Sequence, residues 1–247
     1  MITLVWILVA VGAIYWLIRL RRDRGASSRN VDLHGANMPQ ETAKKVQGVM
    51  DAAVGRGIGP RDTERKLRDV VDDFDWPEFD QWCARFKQSG EWPYLWDDVA
   101  EYCDLQEARI DALLEMLKKD ALIELAGLAK VTIKKSWTKP NIIAALLAAK
   151  PPLDRQMVME KVDKIWKPRY LRGKRFLFTH TTECREHTKE QLTRFRSLDF
   201  VSTVEIVGTD DCPICKRMAG KKISLRSATP DKLPPYHPGC RCTILSS

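Results

Sequence analysis

The sequence predicts a mainly helical chain with a small α+β module at its C-terminal end and one apolar helix at its start. Three observations predict this. Residues Ile2 to Ile18 carry no charge. Apolar side chains recur at helical spacing from Leu105 onward. Four of the seven cysteines (Cys212, Cys215, Cys240 and Cys242) lie in the last stretch of the chain. With 44% hydrophobic and 30% charged residues, the 247-residue chain is neither a disordered polymer nor a multi-span membrane protein. Its net charge of +8 is unevenly placed. Twelve acidic and two basic residues occupy 69–107, whereas fifteen basic and eight acidic residues occupy 163–226. Such a split predicts segments with different surroundings.

The first element is ITLVWILVAVGAIYWLI, followed by Arg19, Arg21, Arg22 and Arg24. Seventeen residues at 1.5 Å rise span about 26 Å, enough for a bilayer's hydrocarbon core. Trp6 stands near one end and Tyr15 and Trp16 near the other, where amphipathic rings favour the lipid–water boundary. A cleaved signal peptide places its positive charge before the apolar run, and here the order is reversed. The expectation is a single transmembrane helix within 1–24, with the N-terminus outside and the bulk of the chain cytoplasmic. Residues 25–40 are polar and aperiodic and read as a tether, with His34 as a solvated loop side chain.

A helical region is expected over 41–152. A helix from Thr42 to Val54 ends at the glycines of GRGIG, which lack the Gly-Lys-Ser/Thr of a phosphate loop. Pro60, with Asp62 or Thr63 as cap, opens the next helix. The acidic stretch that follows carries Trp76, Trp82, Trp92 and Trp96 and predicts a small aromatic core with a solvated acidic face; the alternative is a docking surface. Ile110, Leu113, Leu114 and Leu117 form one apolar stripe.

Two short helices at 121–130 and 139–149 flank the basic loop Lys134-Lys135-Ser136-Trp137. Thr138 is the expected N-cap and Pro140 falls in the first turn. Leu122–Leu128, then Thr138-Lys139 followed by Ile142, Ile143, Leu146 and Leu147, resemble the helix–extended-loop–helix modules of the SAP and Rho N-terminal type. The resemblance implies nucleic-acid contact through Lys134, Lys135 and Lys139. A plain helical hairpin packed in the core is the competing reading.

The C-terminal module, 153–247, carries the chemistry. Cys212-Pro-Ile-Cys215 is a CxxC pair, and His237-Pro-Gly-Cys240-Arg-Cys242 supplies a second group. Zinc takes four thiolate or imidazole ligands at tetrahedral corners, in two close pairs joined by the fold. Five candidates thus compete for four places, with the last place open between Cys242 and His237. Four protein donors leave no open position, so the expected zinc is structural. In a reducing compartment this pattern favours metal; in an oxidising one the same thiols form two disulfides.

The stretch CPIC, Ala219-Gly220-Lys221 and Leu233-Pro234-Pro235-Tyr236-His237-Pro238-Gly239-Cys240-Arg241-Cys242 resembles the C-terminal signature of the phage Mu F-like head morphogenesis (minor head protein) family over about 176–247. The resemblance implies a polar helix beginning at Thr182-Glu183 and running to about Leu198, a strand over 200–207, and a module reused in a prophage-derived or host membrane protein.

His180, Glu183 and His187 share a helical stripe, but the two histidines stand roughly 10 Å apart along the axis, too far for one ion. A Glu–His ion pair is expected. Cys83, Cys103 and Cys184 have no partner spacing and read as buried small side chains. No Walker loop, nucleophile elbow or open metal triad is present. The functional expectation is therefore a membrane-anchored, non-enzymatic zinc-binding scaffold with a protein partner and no small-molecule substrate. Two alternatives accompany it: nucleic-acid binding through the hairpin and the basic C-terminal third, and a nuclease or toxin effector using His180, Glu183 and His187.

Overall fold

Helix signals in the sequence decide most of the architecture seen in the computed structural model, which describes residues 33, 35–208 and 212–247. The apolar run, its arginine flank and His34 lie outside the described residues. Among the described residues, no helix is long and apolar enough to cross a membrane.

Helix α1 (Gln40–Arg56) outlasts the expected 42–54 because Gly55 stays helical and the chain turns only at Gly57. There a left-handed φ of 64° lets the Ile58 amide reach the Ala53 carbonyl at 2.9 Å. Helix α2 (Pro60–Arg68) is capped by Gly59, not by Asp62 or Thr63. Pro60, with φ fixed near the helical value, starts the helix and places both residues inside its first turn.

Helices α3 (Pro77–Ser89) and α4 (Asp97–Glu107), joined through a short 3-10 turn at Tyr94–Trp96, carry the tryptophan-rich segment. Trp76 and Trp96 are wholly buried. Phe79 stacks between them at centroid distances of 5.3 and 5.1 Å. The rings are thus a core, and acidic side chains begin both helices where the dipole favours them.

The stripe Ile110, Leu113, Leu114 and Leu117 packs into one core as expected, but on a helix of its own: α4 stops at Glu107 and α5 (Ile110–Met116) starts afresh. Arg155 caps the break, its guanidinium donating to the carbonyls of Gln106 at 2.6 Å and Ala108 at 3.2 Å. Helices α6 (Lys119–Leu128) and α7 (Lys139–Leu147) form the expected hairpin. Thr138 occupies the N-cap position, yet its hydroxyl makes no capping bond. Pro140 removes one of the two amides that such a cap would serve.

Leu113, Leu114, Leu117, Leu122, Leu125, Ile142 and Leu146 close one core against Val158 and Val162. Truncating Leu122 to alanine should cost about 2–5 kcal/mol, read as a lower urea midpoint at unchanged slope.

Helix α8 (Arg155–Arg196) is 42 residues long, capped by the Asp154 carboxylate on the Gln156 amide. The polar helix expected to begin at Thr182 is therefore the last third of a longer one. The hydroxyls of Thr179, Thr181 and Thr182 donate back to carbonyls one turn earlier, which satisfies them without breaking the helix. Two charges on α8 are buried. Lys174 donates to the Phe74 carbonyl, and the Arg175 Nε pairs with Glu64 of α2 at 3.2 Å.

Past α8, β1 (Thr203–Val207) is the central strand of an antiparallel sheet of order β2-β1-β3, with β2 at Lys222–Ser224 and β3 at Thr243–Ser246. Val204 lies opposite Ile223, and Ile206 opposite Ile244. The strand starts after the expected 200, and Phe200 is 84% exposed. Leu33–Ser247 form one compact unit, in which α8 begins at Arg155, just past the expected boundary at 152/153, and packs against helices before it and the sheet after it.

Candidate metal centre

Helix α9 (Pro213–Met218) begins on Cys212, whose sulfur accepts the Cys215 amide at 3.3 Å. Pro213 at the first helical position fixes this turn and points both sulfurs of the CxxC pair one way. Opposite it, the turn His237–Cys240 closes through the Cys240 amide on the His237 carbonyl. Gly239 is required there. Its φ is +75°, and an added Cβ would stand 2.5 Å from Leu177 of α8. Its amide donates to the Thr181 hydroxyl at 3.0 Å, so the turn is seated on α8.

The two groups meet. His237 Nε2 stands 3.2 Å from the sulfurs of both Cys212 and Cys215, and Cys215 Sγ lies 3.7 Å from Cys240 Sγ. Cys212, Cys215 and His237 form one triad and Cys215, Cys240 and Cys242 another, each with donor atoms within 4.8 Å. All five residues are buried, none more than 4% exposed. None of the seven cysteines is joined in a disulfide.

These residues fit zinc. Ligand atoms at bond lengths of 2.0–2.3 Å on a tetrahedron lie roughly 3.3–3.8 Å apart, close to the separations seen here. His237 is oriented for it as well: its Nδ1 faces the Pro238 carbonyl at 2.8 Å, leaving Nε2 toward the sulfurs. The same carbonyl accepts the Trp96 indole N–H at 2.9 Å. Trp82 and Phe86 meet the imidazole edge-on at 5.9 and 5.8 Å.

Hydrogen bonds from Cys215 hold the Cys212 and Cys240 thiols below the ordinary range, toward thiolate, while the donating Cys215 is pushed up. Burial works to lower the His237 pKa, but its bond to Cys212 and the neighbouring sulfur charges raise it. Binding metal releases these protons, so affinity falls in acid.

Sequence reading missed the supports of this centre: Trp82, Phe86, Trp96, Thr181 and Leu177 come from three other helical segments. Their only local signal was the density of tryptophan. Cys184 also touches the centre, its thiol donating to the Cys242 carbonyl at 3.6 Å. Cys83 and Cys103 do have partners, because α3 and α4 bring them into hydrogen-bond reach of each other.

The stripe on α8 does not assemble. Glu183 accepts from Thr63 of α2 at 3.3 Å in place of a histidine. The His180 ring faces Phe176, with Nδ1 buried and without a hydrogen-bond partner, and His187 is exposed. Burial lifts the Glu183 carboxyl to about 7, against the Thr63 hydroxyl that favours its charged form.

Its proton is therefore held in the folded state and lost in the unfolded state between the ordinary carboxyl range and pH 7. Stability contributed by this group is present below that range and is lost as pH rises through 7. Glu183→Gln should flatten this part of the profile and be more stable than wild type at pH 8, measured as the difference in urea midpoints from pH 5 to 8.

On the hairpin, Lys134 and Lys135 are exposed. Lys139 is tied to Glu115, donating to its carbonyl and lying 3.9 Å from its carboxylate. Comparison with protein-family models, curated proteins and solved structures finds no match for this chain.

Proposed function

We propose that the chain is a membrane-anchored scaffold whose C-terminal part is stapled by one structural zinc ion and binds a protein partner. The observation that carries this reading is the gathering of five buried donors, four thiols and one imidazole, at separations suited to tetrahedral zinc. Four or more protein donors leave no open coordination position, so the ion supplies folding energy instead of activating water. The apolar run before Arg19 supports the anchor, and the arginines that follow it support a cytoplasmic body. The resemblance of 212–242 to the Mu F-like signature supports an assembly role.

The test is metal analysis of the full chain extracted in detergent. One zinc per chain is expected, with loss of near-ultraviolet signal on chelation. A metal-free chain whose C-terminal part is fully folded overturns the proposal.

The exposed Lys134 and Lys135 favour a second reading, nucleic-acid contact by the hairpin. It requires retention on DNA or RNA that falls steeply with salt and is lost in a Lys134→Gln, Lys135→Gln variant.

A further inference from the structure

A cleft of about 620 Å³ opens between α2, the start of α4 and the middle of α8, and no candidate metal ligand lines it. We propose that it binds a nucleotide, with the phosphate held by arginines and the base laid against Tyr94.

Four guanidiniums converge on the cleft. Arg61 and Arg65 stand one turn apart on α2, and Arg169 and Arg172 are neighbours on one face of α8. Arginine's planar fork matches phosphate oxygens in pairs, which makes such a cluster better suited to phosphate than to a point anion. Two of the four are already fixed in place. Asp98 Oδ1 accepts Arg169 Nε at 3.2 Å and its Oδ2 accepts Arg172 Nη2 at 2.8 Å, while Glu101 pairs with Arg169 Nη1 at 3.0 Å. These contacts leave Nη1 and Nε of Arg172 for a ligand.

The carboxylates do not cancel the field. Glu64 at the cleft wall is answered from behind by Arg175 at 3.2 Å and Arg68 at 3.6 Å. Arg65 meets Asp62 only at the exposed rim, and Arg61 has no partner among the described residues. Asp97 is the remaining acid of the lining.

Two rings complete the site. Tyr94 is 66% exposed and makes no ring contact among the described residues, and Phe176 also lines the cleft. An open aromatic face beside a guanidinium cluster is the arrangement that stacks a base while holding its phosphate. The volume lies within the range of small-molecule sites, about 300–1,000 Å³. The nucleotide is either free or one unit of a single strand, and the chemistry of recognition is the same.

The experiment titrates the zinc-replete full chain in detergent with AMP, adenosine, inorganic phosphate and ten-nucleotide single-stranded DNA and RNA, read by calorimetry and anisotropy. AMP or an oligonucleotide should bind with a Kd below about 1 mM. AMP should bind about tenfold or more tighter than adenosine or phosphate alone. Arg61→Gln should weaken binding about tenfold and Tyr94→Ala about fivefold or more, with unchanged thermal melting since both side chains are exposed. Lys134→Gln, on the hairpin, should leave binding unchanged. Preference for AMP identifies a free nucleotide, and preference for the oligonucleotide a strand. No saturable binding, equal binding of phosphate and AMP, or indifference to both Arg61→Gln and Tyr94→Ala overturns the proposal.

Discussion

Cys215→Ser should release the zinc altogether, weakening its binding by more than about 100-fold, because Cys215 is the one donor that belongs to both triads. Removing Cys242 still leaves Cys212, Cys215, Cys240 and His237, and removing His237 still leaves four thiols. Each of those variants should keep one zinc with a smaller loss of affinity. The serine at 215 leaves Cys212 facing His237 and Cys240 beside Cys242, with neither group able to close a tetrahedron. Since binding free energy here is folding free energy, the chain from Cys212 onward should become sensitive to protease while the far-ultraviolet helical signal is largely kept. Metal content and limited proteolysis of the three variants side by side provide the check. A Cys215→Ser chain that holds one zinc at wild-type affinity would refute the shared-donor reading.

Arg175→Ala should cost about 3–5 kcal/mol, the cost of leaving an uncompensated buried charge. Both side chains of the Arg175–Glu64 pair are nearly inaccessible, at 4% and 7%. Removing the guanidinium strands Glu64 with only Arg68 at 3.6 Å and deprives the Asp72 carbonyl of the Nη1 donor 2.6 Å away. Replacing the pair together, as Arg175→Met with Glu64→Leu, should recover most of the loss, because desolvating both charges offsets much of their attraction. Urea midpoints of the two singles and the double form the cycle that measures this coupling. A double variant as unstable as Arg175→Ala would show that packing, not charge, holds α2 to α8.

What the sequence disclosed follows from distance along the chain. The metal ligands were legible because each group is local: CxxC on one turn, and His237, Cys240 and Cys242 within six residues. The hairpin at 119–147 was legible from apolar spacing, and Gly57 from its role as a helix stop. The length of α8 was not, because Pro168, Gly173 and three threonines each weaken a local helix reading, and only packing against α2, α4 and α5 overrides them. The pairing of Glu183 with Thr63, and of Cys83 with Cys103, depends on helices that meet far from each other in sequence. The cap expected at Asp62 or Thr63 fell instead on Gly59, and Thr138 took its expected cap position without a capping bond, in each case beside a proline that set which amides remained.

The seating of Gly239 on Leu177, and of its amide on Thr181, bears on how portable the zinc-binding end is. A fragment starting near residue 176 would take the ligands but sever α8 in mid-course, stripping Leu177 and Phe178 of the helices that cover them. Such a fragment lacks the floor on which the histidine turn is built. The cysteine cluster is thus not an appendage that folds wherever it is transplanted. It is a structure grown on the side of one long helix, and any transfer of it must carry that helix and its covering partners along.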